Sequence, residues 1–205
     1  MLTEKEQITI ASYNQYAPYW VETHTNSEQC LVEFNTFKKY LPGGEVLEIG
    51  SGGGREADRF RKAGYGYIGI DSSKALLTEA RKNAPGAKLF FREDIYNLNF
   101  PVKFDGFWCS ATLLHNPKER ITEALQSIYG VIKSGGIGFI CIKEGAGNMV
   151  PNEEEVFGKK ILRYFTYYRQ DEFAKRLTNA EFSILESSTL TVSPKTTWLN
   201  YFVQK

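Results

Sequence analysis

Glu45-Val46-Leu47-Glu48-Ile49-Gly50-Ser51-Gly52-Gly53-Gly54-Arg55 is the stretch that decides the fold. A short apolar run ends in four glycines within five positions. That pattern reads as a strand delivering the chain into a sharp turn, with a helix to follow from Glu56 to Ala63. Glycine lets such a turn pass close to a ligand, and the N–H groups at the start of the next helix favour a carboxylate or phosphate.

Outward from the loop, strands and helices alternate. Tyr67-Ile68-Gly69-Ile70-Asp71 reads as a second strand, Lys74 to Asn83 as a helix closed by Pro85-Gly86, and Lys88-Leu89-Phe90-Phe91 as a third strand. Phe104 to Cys109 is the fourth. Asn116, Pro117 and Glu119 form a capping signal for a helix whose apolar positions Ile121, Ala124, Leu125, Ile128 and Ile132 step by three or four. Ile137 to Ile142 is a fifth strand, and a helix from Asp171 to Leu177 leads to strands Phe182–Glu186 and Thr196–Val203. Alternation of this kind implies parallel strands joined by right-handed crossovers, with helices on both faces of one doubly wound α/β sheet. The last two strands have no helix between them and are expected to pair antiparallel at the edge. The whole chain, 1–205, reads as one domain: a helical, aromatic-rich segment over 1–42, then the core over 45–205 with an insert at about 145–168.

Ligands on such sheets sit beyond the carboxyl ends of the strands. Asp71 falls there, about 20 residues past the glycines, where a carboxylate can accept ribose hydroxyls. Glu93-Asp94-Ile95 follows the third strand, where Asp94 can accept from an adenine amine and Ile95 can pack on the ring. Gly52-x-Gly54-x-x-Ala57 also satisfies a dinucleotide pattern. Starting that pattern at Gly50 puts Arg55 where a small residue belongs, and the chain is short for a dinucleotide fold plus a substrate domain.

Composition narrows the classes further. Lys+Arg number 25 against 24 Asp+Glu, a net charge of +1 that supplies no global field for nucleic acid or anionic lipid. No run approaches the roughly 20 apolar residues of a membrane span, and the charged start lacks a secretory core, so a cytoplasmic location is expected. Cys30, Cys109 and Cys141 form no metal-ligand spacing; no metal site is expected, and Cys109 and Cys141 lie in apolar runs as small core residues do. The sequence sets no oligomeric state.

Together these residues resemble the class I S-adenosylmethionine-dependent methyltransferases of the small-molecule type. Glu48-x-Gly50-x-Gly52-x-Gly54 is similar to that family's first motif, Asp71 to its ribose acid, Asp94-Ile95 to its adenine motif, and Leu114-His115 to the pair after strand four. Lys133-x-Gly135-Gly136 resembles the turn before strand five. Asn179-Ala180-Glu181-Phe182 departs from the usual Ala-Gly-Phe in a turn. The resemblance implies a seven-stranded sheet ordered 3-2-1-4-5-7-6 with strand seven antiparallel, and a helical lid carrying Tyr13-x-x-Tyr16-Ala17-x-x-Trp20. It implies a cofactor, S-adenosyl-L-methionine, bound by Tyr13, Tyr16, Glu48, Gly50, Ser51, Gly52, Asp71, Ser72, Asp94, Ile95 and Cys109. His115 is the candidate base or substrate-shaping residue, and Glu144, Tyr164, Tyr167 and Arg169 are candidates for the acceptor. Arg163 to Arg169 is dense in aromatics with flanking arginines, suited to a planar or anionic acceptor, or to single-stranded nucleic acid. The expected activity is methyl transfer to a small molecule; an RNA methyltransferase and a non-catalytic cofactor-binding protein are the alternatives.

Overall fold

In a computed structural model, residues 1–24, 29–92 and 94–205 are described. Glu93, one half of the acidic pair read after the third strand, and residues 25–28 of the N-terminal segment lie outside them. Helices α1 (Glu4–Gln15), α2 (Ala17–Thr23) and α3 (Leu31–Tyr40) precede the sheet. The glycine stretch follows strand β1 (Glu45–Ile49) and leads into α4 (Arg55–Lys62). Strand β2 (Gly66–Asp71), α5 (Lys74–Asn83), β3 (Lys88–Phe91), β4 (Phe104–Ser110), α6 (Ile121–Val131) and β5 (Ile132–Lys143) continue the alternation. Strands β6 (Val150–Val156) and β7 (Lys159–Phe165) come next, then α7 (Gln170–Asn179), β8 (Ser183–Ser193) and β9 (Thr196–Gln204).

The sheet has seven strands in the order β3-β2-β1-β4-β5-β9-β8. With the last two strands numbered as sixth and seventh, this is the order expected from the sequence. β1 pairs parallel with β2 and β4, while β9 runs antiparallel between β5 and β8. Because side chains alternate across a strand, neighbouring residues feed two separate cores. Leu47, Ile49, Phe107 and Cys109 pack with α6 and α7 on one face. Val46, Trp108 and Phe139 pack with Phe34 and Phe37 of α3 and with Phe60 of α4 on the other. Both faces are covered over the central strands β1, β4 and β5, which are therefore mostly buried, as interior parallel strands are, whereas edge strand β8 is largely exposed. Among the described residues no helix is long and apolar enough to cross a membrane.

The capping signal at Asn116 does not start a helix. Residues 113–115 form a 3-10 turn that Asn116 closes, and α6 begins five residues later with no side-chain cap. The Asn116 amide instead donates to Tyr96 Oη (2.8 Å) and Glu6 Oε1 (3.3 Å), and Glu119 accepts from Asn148. Burial won over local propensity: a side chain tied into an interior network is not free to cap.

The stretch read as an insert contains a second, two-stranded sheet, β6–β7. Its turn, Phe157-Gly158, has both φ values positive (50° and 71°), the twist-matched two-residue hairpin connection. The hairpin lies along α1. Ser12 Oγ donates to Leu162 O at 2.5 Å, Thr9 Oγ1 accepts from Tyr164 N–H at 3.0 Å, and Lys5 Nζ reaches Met149 O at 3.1 Å. On its other side α1 is held to α5, where Asn14 Oδ1 accepts from Ser73 Oγ (2.9 Å) and Ala75 N–H (3.1 Å).

The first turn of α1 is closed by a capping box. Thr3 Oγ1 accepts from Glu6 N–H, and Glu6 Oε2 accepts from Thr3 N–H at 2.8 Å. Thr3→Ala removes the side-chain half of that exchange and is expected to lower stability by about 1 kcal/mol, read as a shift in the urea midpoint. An unchanged midpoint would mean that the cap adds nothing to the packed helix.

Candidate functional site

One cavity opens at the carboxyl ends of β1, β2 and β4 and lies under α1. Its floor is Ile49, Gly50, Gly52, Ile70, Asp71 and Ser72; its far wall is Ser110, Ala111 and Thr112. Arg92, Ile95, Tyr13, His115 and Asn116 complete the lining.

The floor is built by backbone conformation. Gly50 has φ +74°, and a Cβ there would lie 2.0 Å from Thr112 Oγ1. Gly52 has φ +52° with open space where its Cβ would be, so bare backbone faces the cavity. Asp71 secures both ends of the turn: Oδ2 accepts from Gly52 N–H and Oδ1 from Ser73 N–H, each at 2.8 Å. Burial raises the Asp71 pKa, and the backbone donors oppose that rise.

Of the residues singled out in the sequence, Tyr13, Gly50, Gly52, Asp71, Ser72, Ile95 and His115 line this one cavity. Others stand behind it. Glu48 is buried beneath the loop and accepts a hydrogen bond from Tyr67 Oη; burial pushes its carboxyl well above the usual range. Ser51 is buried with its Oγ unpartnered. Asp94 accepts from Tyr96 N–H at 2.8 Å and so closes the turn that carries Ile95. Cys109 is fully buried in the core, its thiol pushed up to about 12 by burial. Tyr16 packs outside the cavity, against the cluster of Ala17, Trp20, Leu76, Val156 and Ile161. Glu144 and Arg169 line a separate shallow depression with Lys195 and Thr197, away from the cavity. The Tyr164 ring lies under Lys5 Nζ at 5.1 Å, and Tyr167 covers Gly145.

His115 is held at both ring nitrogens. Nδ1 lies 3.0 Å from Tyr164 O, and a carbonyl only accepts, so Nδ1 carries the proton. Nε2 is then the acceptor of a hydrogen bond from the Tyr13 hydroxyl at 2.9 Å. Arg163 Nη1 donates to that same hydroxyl oxygen at 2.8 Å, and its Nη2 donates to Glu154. Burial, with Arg163 and Lys143 nearby, pushes His115 down to about 3, so the ring is neutral at physiological pH. An unfolded chain restores its ordinary value near 6.5. Between those values only the unfolded state binds the proton, so stability falls as pH drops below about 6.5. The urea midpoint of the native protein is expected to fall more between pH 7 and pH 5 than that of His115→Gln. Equal falls would rule out a neutral His115.

Several cavity residues carried no signal in the sequence. Glu6, Thr9 and Thr112 come from isolated polar positions without a motif. Arg163, which stands behind the lining on the Tyr13 hydroxyl, was read only as the border of an aromatic stretch. Its placement at alternate inward positions with Ile161 and Phe165 is the signal that a period-two reading of the hairpin would have found.

Residues 46–136 match a sequence profile described as a methyltransferase domain. The matched span runs from β1 into β5 and includes the glycine turn and Asp71. The chain is 32% identical over 134 residues to the uncharacterized protein MJ1123 of Methanocaldococcus jannaschii, an alignment covering 60% of this chain and 58% of that protein. It is 27% identical over 128 residues to a probable 18S rRNA (guanine-N(7))-methyltransferase of Dictyostelium discoideum, covering 57% of this chain and 44% of that one. The chain thus spans about half the length of the curated relatives it matches. Among solved structures it is similar to the Burkholderia thailandensis 1,6-didemethyltoxoflavin-N1-methyltransferase, which holds 1,6-didemethyltoxoflavin and S-adenosylhomocysteine. That likeness has a TM-score of 0.74 and 17% identity, over 100% of this chain and 92% of that one. At this identity it bears on the fold alone.

Proposed function

We propose that the protein transfers a methyl group from S-adenosylmethionine to a small-molecule acceptor. The observation that carries this reading is convergence: the glycine turn, Asp71 and Ile95 border a single cavity that Tyr13 and His115 also line. The donor set suits the cofactor. Gly52 leaves a cradle that any Cβ would fill, and each Asp71 oxygen engaged by a backbone N–H keeps a lone pair for a ribose hydroxyl. Asp71 and Ser72 would hold the ribose, Ile70 and Ile95 the adenine, and the backbone of Gly50 to Gly54 the amino-acid end. The cofactor supplies a methyl group already activated on a sulfonium.

What the chain adds is placement and dryness. Helix α1, clamped between α5 and the β6–β7 hairpin, roofs the cavity and excludes water. Holding two reactants in line can remove a large share of a barrier without a base. His115 is suited to orientation, because its one lone pair already accepts from Tyr13. The small-molecule acceptor is supported by this roof and by the near-neutral charge, which offers no broad basic face.

The rRNA methyltransferase among the relatives favours a second reading, an RNA acceptor. Isothermal titration with S-adenosylmethionine, followed by an assay of S-adenosylhomocysteine release over small acceptors and RNA, tests both. Binding and turnover on a small acceptor are expected. RNA binding that weakens steeply as salt rises, with no small-molecule turnover, would replace the first reading by the second. Absence of cofactor binding would remove both.

A further inference from the structure

Beyond the His115 end of the cavity stands a group of cations with too few carboxylates. The Phe165 ring is its hub: the His115 ring centroid lies 5.1 Å away, Lys143 Nζ 4.5 Å and the Arg163 guanidinium carbon 5.1 Å. Arg163 is nine-tenths buried, stacked 4.0 Å over Trp20, and its charge is met by Glu154. Its Nε–H is buried without a hydrogen-bond partner. Lys143 has no such counterion. No carboxylate lies within ion-pairing distance of it among the described residues; its ammonium rests only on the faces of Phe165 and Trp198, the latter at 5.5 Å. Burial lowers the Lys143 pKa and Arg163 lowers it further, while the more distant Glu154 opposes them.

Position strengthens the case. Lys143 is the last residue of β5, two beyond Cys141, which pairs with Ser110 of β4 and accepts from the Ala111 N–H. Ser110 and Ala111 are cavity wall. The ammonium therefore belongs to the strand next to that wall, although neither Lys143 nor Arg163 is part of the cavity's own lining. Two partly desolvated cations against one carboxylate leave a local charge of about +1, which a third, negative group would neutralise. Aromatic rings weaken the hydration of the cations without neutralising them.

We propose that the methyl acceptor carries an oxyanion, a carboxylate or phosphoryl-type group, paired with Lys143 and aided by the free Nε–H of Arg163. This rests on the reading of the cavity as a methyltransferase site and names the acceptor's chemical class. Charge-assisted bonds to an ammonium and a guanidinium are the strong kind. They would anchor one end of the acceptor so that its nucleophilic atom lies against His115 and Tyr13.

The test uses the full-length protein saturated with S-adenosylhomocysteine. Benzoate, phenylphosphonate and the neutral analogue benzamide are titrated in turn by calorimetry. Tryptophan emission gives a second readout, since Trp198 and Trp20 touch the two cations. At least one oxyanion is expected to bind tenfold or more tightly than benzamide, and which one tells carboxylate from phosphoryl. Lys143→Met should abolish the preference and Lys143→Arg should keep most of it; Lys143→Gln replaces the methionine variant if that one does not fold. Equal binding of all three probes, no binding of any, or a preference that survives in Lys143→Met would overturn the proposal. Uptake of S-adenosylhomocysteine is measured first. No uptake removes the cofactor reading along with this one, whereas uptake without an oxyanion preference removes this one alone.

Discussion

Asp71→Ala is expected to weaken S-adenosylmethionine binding by at least 30-fold in isothermal titration, and to destabilise the protein as well. The carboxylate has two tasks. It would receive the ribose hydroxyls, and it already receives Gly52 and Ser73 N–H, each at 2.8 Å. Alanine deletes the ribose acceptors and leaves both backbone donors without a partner, each at a cost of about 1–3 kcal/mol where water does not replace the bond. The Gly52 bond shapes the cavity floor, so part of the affinity loss comes from a loop that no longer holds its turn. Asp71→Asn separates the two effects. Its single carbonyl oxygen can satisfy one backbone donor, while its NH2 faces the other, so it should fall between native and alanine in stability yet lose much of the ribose contact. Binding within threefold of native in Asp71→Ala would take the ribose assignment away.

The sheet was legible because its strands obey one rule without competition. Val46 to Ile49, Tyr67 to Ile70 and Phe107 to Cys109 are largely apolar runs that end in Gly50, Asp71 and Ser110, and nothing in their surroundings overrides that. Their order came from the resemblance stated above, since handedness fixes only the side on which each crossover helix lies. The glycines announce themselves for the same reason: a positive φ at Gly50, Gly52 and Gly54 excludes most other residues. What escaped reading is where tertiary contact outweighs local signal. Asn116 followed by proline looks like a helix start, but its amide is recruited by Tyr96 and Glu6 from two distant segments. The β6–β7 hairpin looked like an irregular insert because its inward face reads Ile161, Arg163, Phe165, and an arginine breaks the apolar alternation. That arginine faces inward because Tyr13 and Glu154 meet it there, a pairing across 150 residues in the first case. Violations of pattern therefore mark the places where the cavity's wall is assembled.

Gly50→Ala is expected to cost roughly 3 kcal/mol of stability, from two physical sources that can be measured apart. At φ +74° an L-residue bears about 1–2 kcal/mol of backbone strain. The added methyl would also lie 2.0 Å from Thr112 Oγ1, 2.6 Å from its Cγ2 and 2.8 Å from its Cβ. Thr112 cannot swing aside freely, since its hydroxyl donates to Ile49 O at 3.0 Å and Ser110 O at 3.1 Å. Overpacking of this kind adds about 1–3 kcal/mol. Thr112→Gly removes every atom involved in the clash and leaves the strain untouched. A double-mutant cycle by urea denaturation should then show Gly50→Ala costing about 1–2 kcal/mol in the Thr112→Gly background, less than in the native one, a coupling that only direct contact produces. Because Gly50 and Thr112 both line the cavity, cofactor affinity should fall in the single variant and partly return in the double. Strict additivity of the two substitutions would show that the glycine is required for its backbone angle alone.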